Sequence, residues 1–167
     1  ISPCIFLSFA TNVFPTEADL FNISPNVPFI ALLALGMTMV IITGGIDLSV
    51  GSIVGIVGMI SGLLITKGIP IPFMDATAYP SVFEVIAFAL LTGIFVGLIN
   101  GLLITRFSVA PFIATLGTMY IARGAALLLS NGETFPNLVG KEELGNTGFP
   151  ILGTGTVLGV PVAVILM

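Results

Sequence analysis

The 167-residue sequence contains no tryptophan and no histidine, and its single cysteine is Cys4. Without imidazole the chain lacks the side chain that ordinarily titrates near neutrality as a general base, and the commonest metal ligand with it. One cysteine excludes an internal disulfide and a thiolate cluster. Charge is equally scarce: 7% of the residues are charged, against roughly 25% in a soluble globular domain. Four basic residues beside eight acidic ones are too few to neutralise phosphates, so nucleic acid is not an expected partner. There is no GxxxxGK[ST] phosphate loop, no GxGxxG turn after a strand, no HExxH helix and no paired acids within one apolar run. The chain is therefore read as a non-enzyme, with neither metal nor catalytic residues of its own.

What is abundant is apolar side chain, at 56% of the sequence. A helix needs ~20 apolar residues to cross a bilayer. Runs at 1–14, 29–46, 48–66, 82–105, 111–130 and 152–167 read as spans, the first and last of them partial. The expected fold is all-α: a polytopic transmembrane helical bundle of about five to six spans, one domain over 1–167, truncated at both ends. Polar stretches at 15–28, 67–81 and 131–150 carry prolines, glycines and most of the acids, and read as connections outside the hydrocarbon. Pro111 suits the first turn of the helix it opens, where a missing amide hydrogen costs nothing.

The most informative interruption is Thr43-Gly44-Gly45-Ile46-Asp47-Leu48-Ser49-Val50-Gly51-Ser52. A carboxylate between apolar runs costs about 2.5 to 3.5 kcal/mol on insertion scales. Two successive glycines weaken a helix by about 1 kcal/mol each relative to alanine. A helix break at Gly44-Gly45-Asp47 is expected, with Asp47 capping the helix that follows by accepting from the amide of Ser49 or Val50. Two stripes of small residues also stand out. Gly51, Gly55, Gly58 and Gly62 line one helical face, and Ala89, Gly93, Gly97 and Gly101 another, so the two helices are expected to pack closely through them. The similar endings GLLITK (62–67) and GLLITR (101–106) read as shared helix-end chemistry rather than an inverted repeat.

Polar side chains inside or beside the runs, Thr43, Asp47, Ser49, Asn100, Thr115, Thr118 and Arg123, are candidates for a helix break or a substrate pathway, since such groups face a bundle interior or a wet path. Arg123 has two readings: a snorkelling or carbonyl-capping side chain, or an ion-pair partner for Asp47. Asn100 reads first as an interhelical hydrogen-bonding residue. Counting basic residues on the two sides leaves the orientation open.

ALGMTMVIITGGIDLSVGS (34–52) and FIATLGTMYIARGAALLLSNG (112–132), with GLINGLLITR (97–106) between them, closely resemble the permease subunits of bacterial sugar ABC importers of the ribose type. The resemblance runs from about Asn22 to Gly132. It implies a multi-pass protein of the bacterial cytoplasmic (inner) membrane, in contact with lipid, that dimerises with a second permease subunit. It further implies two other partners, a cytoplasmic ATP-binding subunit and a periplasmic or lipid-anchored sugar-binding protein. ATP and Mg would then belong to the ATPase, with no cofactor in this chain. The resemblance places Arg106 on the cytoplasmic side and the 131–150 loop outside. Nucleosides or other small polar solutes are alternative cargoes, and an ATP-independent carrier is the alternative mechanism. Members of the family are roughly twice as long, so the ATPase-docking loop is expected outside this chain.

Overall fold

A computed structural model describes residue 9 and residues 26–71, 76–135, 138–157 and 160–162. The expected first span, 1–14, lies outside the described residues apart from Phe9. Residues 36–150 form one compact unit, and residues 1–35 with 151–167 are grouped as another.

Helix α1 (Asn26–Ile42) ends where its sequence stops supporting a helix. Gly44 takes φ +73°, a left-handed conformation that costs a side-chain-bearing residue roughly 1–2 kcal/mol. Its amide donates to Ile41 O at 2.9 Å and that of Gly45 to Val40 O at 3.0 Å, the paired closure of a Schellman motif. Residues 43–49 are not helical, and α2 (Val50–Thr66) follows. The helices thus stop at Ile42 and resume at Val50, a wider gap than the sequence suggested. Each is ~26 Å long at 1.5 Å per residue.

After α2, Gly68 at φ +67° turns the chain into a two-stranded antiparallel hairpin, β1 (Ile69–Ile71) and β2 (Ala76–Ala78), with Ile69 opposite Ala78. A Cβ on Gly68 would stand 2.7 Å from Ala78 O, so the turn requires glycine. Helix α3 (Val82–Thr105) opens with Ser81 in extended conformation, its amide and hydroxyl both donating to the Glu84 carboxylate, at 2.7 and 2.9 Å. Helix α4 (Pro111–Ser130) has Pro111 in its first turn and closes on Asn131 at φ 53°, a second Schellman ending. Among the described residues, α3 and α4 are the helices long and apolar enough to cross a membrane.

The core lies where α2 meets α4. Ala114, Thr118, Ala122, Ala126 and Ser130 repeat every fourth residue of α4 and are all buried. Their small side chains let α2 approach, and Ile56 packs against Ala122 and Ala126. The expected contact between glycine stripes is corrected here. Although α2 also packs on α3, a Cβ added at Gly51, Gly55, Gly58, Gly93, Gly97 or Gly101 would meet nothing within 4 Å. Ala89, the other member of that α3 stripe, is half-buried. Only Gly62 among those glycines is closely covered: a Cβ there would lie 2.7 Å from the Phe135 ring.

The connection after α4 folds back over the end of α2. Lys67 Nζ is 2.6 Å from Glu133 Oε2 and 5.9 Å from the centre of the Phe135 ring. Fully buried Asn146 donates to Ile65 O at 3.0 Å and accepts from the Lys141 amide at 2.8 Å. Beyond a 3-10 turn (Glu142–Leu144), the expected span 152–167 is not one helix where it is described. It holds a single helical turn, α5 (Ile151–Thr154), and a short antiparallel pair, β3 (Thr156–Val157) with β4 (Val160–Pro161). Gly153 and Gly155 weaken a helix there, and Pro161 removes a donor and clashes with the preceding turn.

Candidate functional site

The non-helical segment 43–49 is held against α3 and α4 by one directed chain of hydrogen bonds. Asp47 Oδ1 accepts from the Ser49 amide at 2.7 Å and from the Ser49 hydroxyl at 2.6 Å. Ser49, with no exposed surface, in turn accepts from Asn100 Nδ2 at 2.9 Å. Thr118 Oγ1 donates to Asn100 Oδ1 at 2.5 Å, completing the link between the start of α2, the interior of α3 and the buried stripe of α4. Each member uses the capacity its chemistry allows: a carboxylate only accepts, a hydroxyl has one proton, and an amide does both. The sense of donation therefore runs from Thr118 through Asn100 and Ser49 to Asp47. Asn100, 6% exposed, is its turning point.

Thr115 adds a second tie. Its hydroxyl lies 2.8 Å from Pro111 O in its own helix and 3.2 Å from Ile46 O in the segment. No buried side-chain N or O atom is left without a partner among the described residues. In a low-dielectric interior an unpaired polar group is expensive, so a fully satisfied network fixes one arrangement of the three helices.

Five sequence candidates thus come together: Asp47, Ser49, Asn100, Thr115 and Thr118. Ser49, rather than Asp47, is the residue directly before α2, and Asp47 reaches it from two positions upstream as an Asx-type turn. Thr43 is exposed, its hydroxyl donating to Val40 O at 2.7 Å. Arg123 stands apart on the exposed side of α4. The carboxylate of Asp47 is engaged by Ser49, and the ion pair among the described residues is Lys67–Glu133, so the Asp47–Arg123 pairing is not formed.

Beside this network lies a cleft of about 450 Å³. One edge is the segment around Thr43 and Asp47, another is the last turns of α3 including Gly97 and Gly101, and the third is the start of α4 at Pro111 and Thr115. Sequence reasoning selected Gly97 and Gly101 as packing residues; the structure makes them cleft wall. It missed Thr105, also in the wall, and Asn146, which ties the distant loop to α2. The signal for the buried face of α4 is the fourfold spacing of alanine, threonine and serine along it.

The family described as branched-chain amino acid transport system / permease component matches residues 20–165. Autoinducer 2 import system permease protein LsrD of Escherichia coli strain K12 is 40% identical over 141 residues, covering 82% of this chain and 38% of that protein. The LsrD proteins of Escherichia coli O157:H7 and Shigella flexneri match to the same extent. The chain thus spans well under half the length of these curated relatives. No solved structure matches it significantly.

Proposed function

Since the chain belongs to the family of permease components of branched-chain amino acid transport systems, we propose that it is part of the membrane-embedded permease of an ABC importer for a small polar solute, a monosaccharide first. In this reading a separate cytoplasmic ATPase supplies the energy, a second permease subunit completes the translocation path, and an external binding protein delivers the solute. The protein resides in the bacterial cytoplasmic membrane and crosses it several times. The observation that carries the site is the buried chain from Thr118 to Asp47, which holds a non-helical, carboxylate-bearing segment open to a cleft between apolar helices. Irregular backbone at membrane depth is tolerated where it lines a cavity or is buried in protein.

The same arrangement, an interrupted pair of helices with a carboxylate at the interruption, also suits an ATP-independent carrier. Reconstituting the full-length protein with and without its ATPase separates the two. The importer reading expects the protein to co-purify with an ATP-binding subunit and to take up sugar only when ATP is hydrolysed. Sugar uptake by liposomes holding the permease alone would overturn it.

A further inference from the structure

We propose that Arg123 and Tyr120 face water in the translocation path, where the Arg123 guanidinium is a barrier to cations. This rests on reading the chain as a permease and adds what keeps its path from leaking ions. Arg123 is the thirteenth of the 20 residues of α4, about 18 Å from Pro111 and about 10 Å from Ser130 at 1.5 Å per residue. An arginine near a helix end can carry its head to the membrane surface along an apolar stem. Arg123 is not so placed, because the Cα–Cβ bonds of a helix lean toward its N-terminus. Its stem is therefore aimed at Pro111, the farther end.

The side chain is exposed, and among the described residues no hydrogen bond or ion pair holds it. A guanidinium is always charged in proteins. Bare in hydrocarbon that charge is expensive, so such residues meet a counter-charge or a water-filled cavity. The acids of this sequence do not supply the counter-charge. Asp47, Glu84 and Glu133 are engaged by Ser49, Ser81 and Lys67. Glu142 and Glu143 stand in the 3-10 turn beyond α4, and Glu17, Asp19 and Asp75 fall in the polar stretches 15–28 and 67–81. A second copy of the chain would bring another arginine. Water remains to solvate the group. Tyr120, one turn earlier on the same face and 64% exposed, adds a phenol whose polar tip water also satisfies. A fixed positive charge beside a narrow, low-dielectric passage repels cations, as arginine does in other pores, and leaves a neutral solute unopposed.

The test uses the full-length protein in liposomes, with native thiols replaced, Cys4→Ser included, and one thiol returned by Arg123→Cys. The thiol is treated with a methanethiosulfonate carrying either a trimethylammonium or a sulfonate group, both soluble in water and not in hydrocarbon, and rubidium efflux is timed. Both reagents are expected to react. Arg123→Cys should raise efflux about tenfold over the thiol-free parent, as expected for removing a unit charge from the passage. The trimethylammonium adduct should return efflux to the parent's rate, and the sulfonate adduct should leave it raised. Arg123→Lys, which keeps the charge, should leak no more than the parent. A control thiol at Ile121→Cys, at similar depth on another side of α4 and 73% exposed, should stay inert to both reagents. Where Arg123→Cys does not assemble, the adducts are placed at Tyr120→Cys, where the sulfonate should raise efflux and the trimethylammonium should not. A thiol at Arg123→Cys that the charged reagents do not reach, equal reaction at Ile121→Cys, efflux unchanged from the parent, or efflux that does not follow the sign of the adduct would each overturn the proposal. Labelling and efflux are read without ATP or sugar, so a failure here is told apart from a failure of the uptake experiment that decides the importer reading.

Discussion

At the scale of single residues, Asn100 has the most demanding position, because it must donate on one side and accept on the other while almost fully buried. Asn100→Leu removes both bonds and is expected to lower stability by about 1–2 kcal/mol, at the upper end of interhelical polar contacts in membranes. Asn100→Asp should cost more, since a carboxylate cannot donate to Ser49 and adds a buried charge near Asp47. Unfolding in mixed micelles checks the order; an aspartate variant as stable as wild type would refute the assigned sense of donation. The polar candidates were legible in the sequence because a polar side chain amid apolar runs needs a partner. Which partner was not legible: Asp47 could bond its neighbour or Arg123, and only the rotation of α4, with Thr118 inward and Arg123 outward, decides it.

At the scale of elements, helix ends follow local chemistry. Ser81 with Glu84, a capping pair outside the sequence reading, starts α3 at Val82, and Pro111 starts α4. Packing faces were read less well. Glycine marks both where a helix must come close and where space must stay open, and sequence spacing does not distinguish these. The structure does, and the substitutions differ accordingly. Gly58→Ala, facing open space, should stabilise the described fold by up to ~1 kcal/mol through helix propensity. Gly62→Ala, facing Phe135, should instead cost about 1–3 kcal/mol as an overpacking change. It should also speed proteolysis in the 131–150 connection by lifting Phe135 away. Gly44→Ala should cost on the order of 1 kcal/mol because its left-handed φ persists. Thermal melting in detergent ranks the three; a destabilised Gly58→Ala would show that another surface covers that face.

At the scale of the whole molecule, exposed apolar side chains dominate the surface: Phe83, Phe95, Leu98 and Leu128 are each more than half exposed. An apolar surface of this extent marks a lipid or protein environment. The chain is therefore expected to stay in the membrane fraction after washing with alkaline carbonate, and its release into the supernatant would contradict the lipid-facing reading of α3 and α4. The Lys67–Glu133 pair at the other end is solvent-exposed, about half of each side chain. Glu133→Gln should change stability by less than about 1 kcal/mol, leaving Asn146 as the principal tie of that loop. The long-range ties were the least legible feature, because Asn146 and Ile65 are joined by folding and not by any local pattern. The route from Thr118 to Asp47 has one more consequence. Because it crosses α4, α3 and the start of α2 in a single sense, the carboxylate at its end is a vibrational gauge of whether all three helices are in register. With aspartate ¹³C-labelled at its carboxyl carbon, the antisymmetric stretch assigned to Asp47 by its loss in Asp47→Asn should shift in Thr118→Val, although Thr118 makes no bond to Asp47; the same band should hold still in Tyr120→Phe, on the exposed side of the same helix.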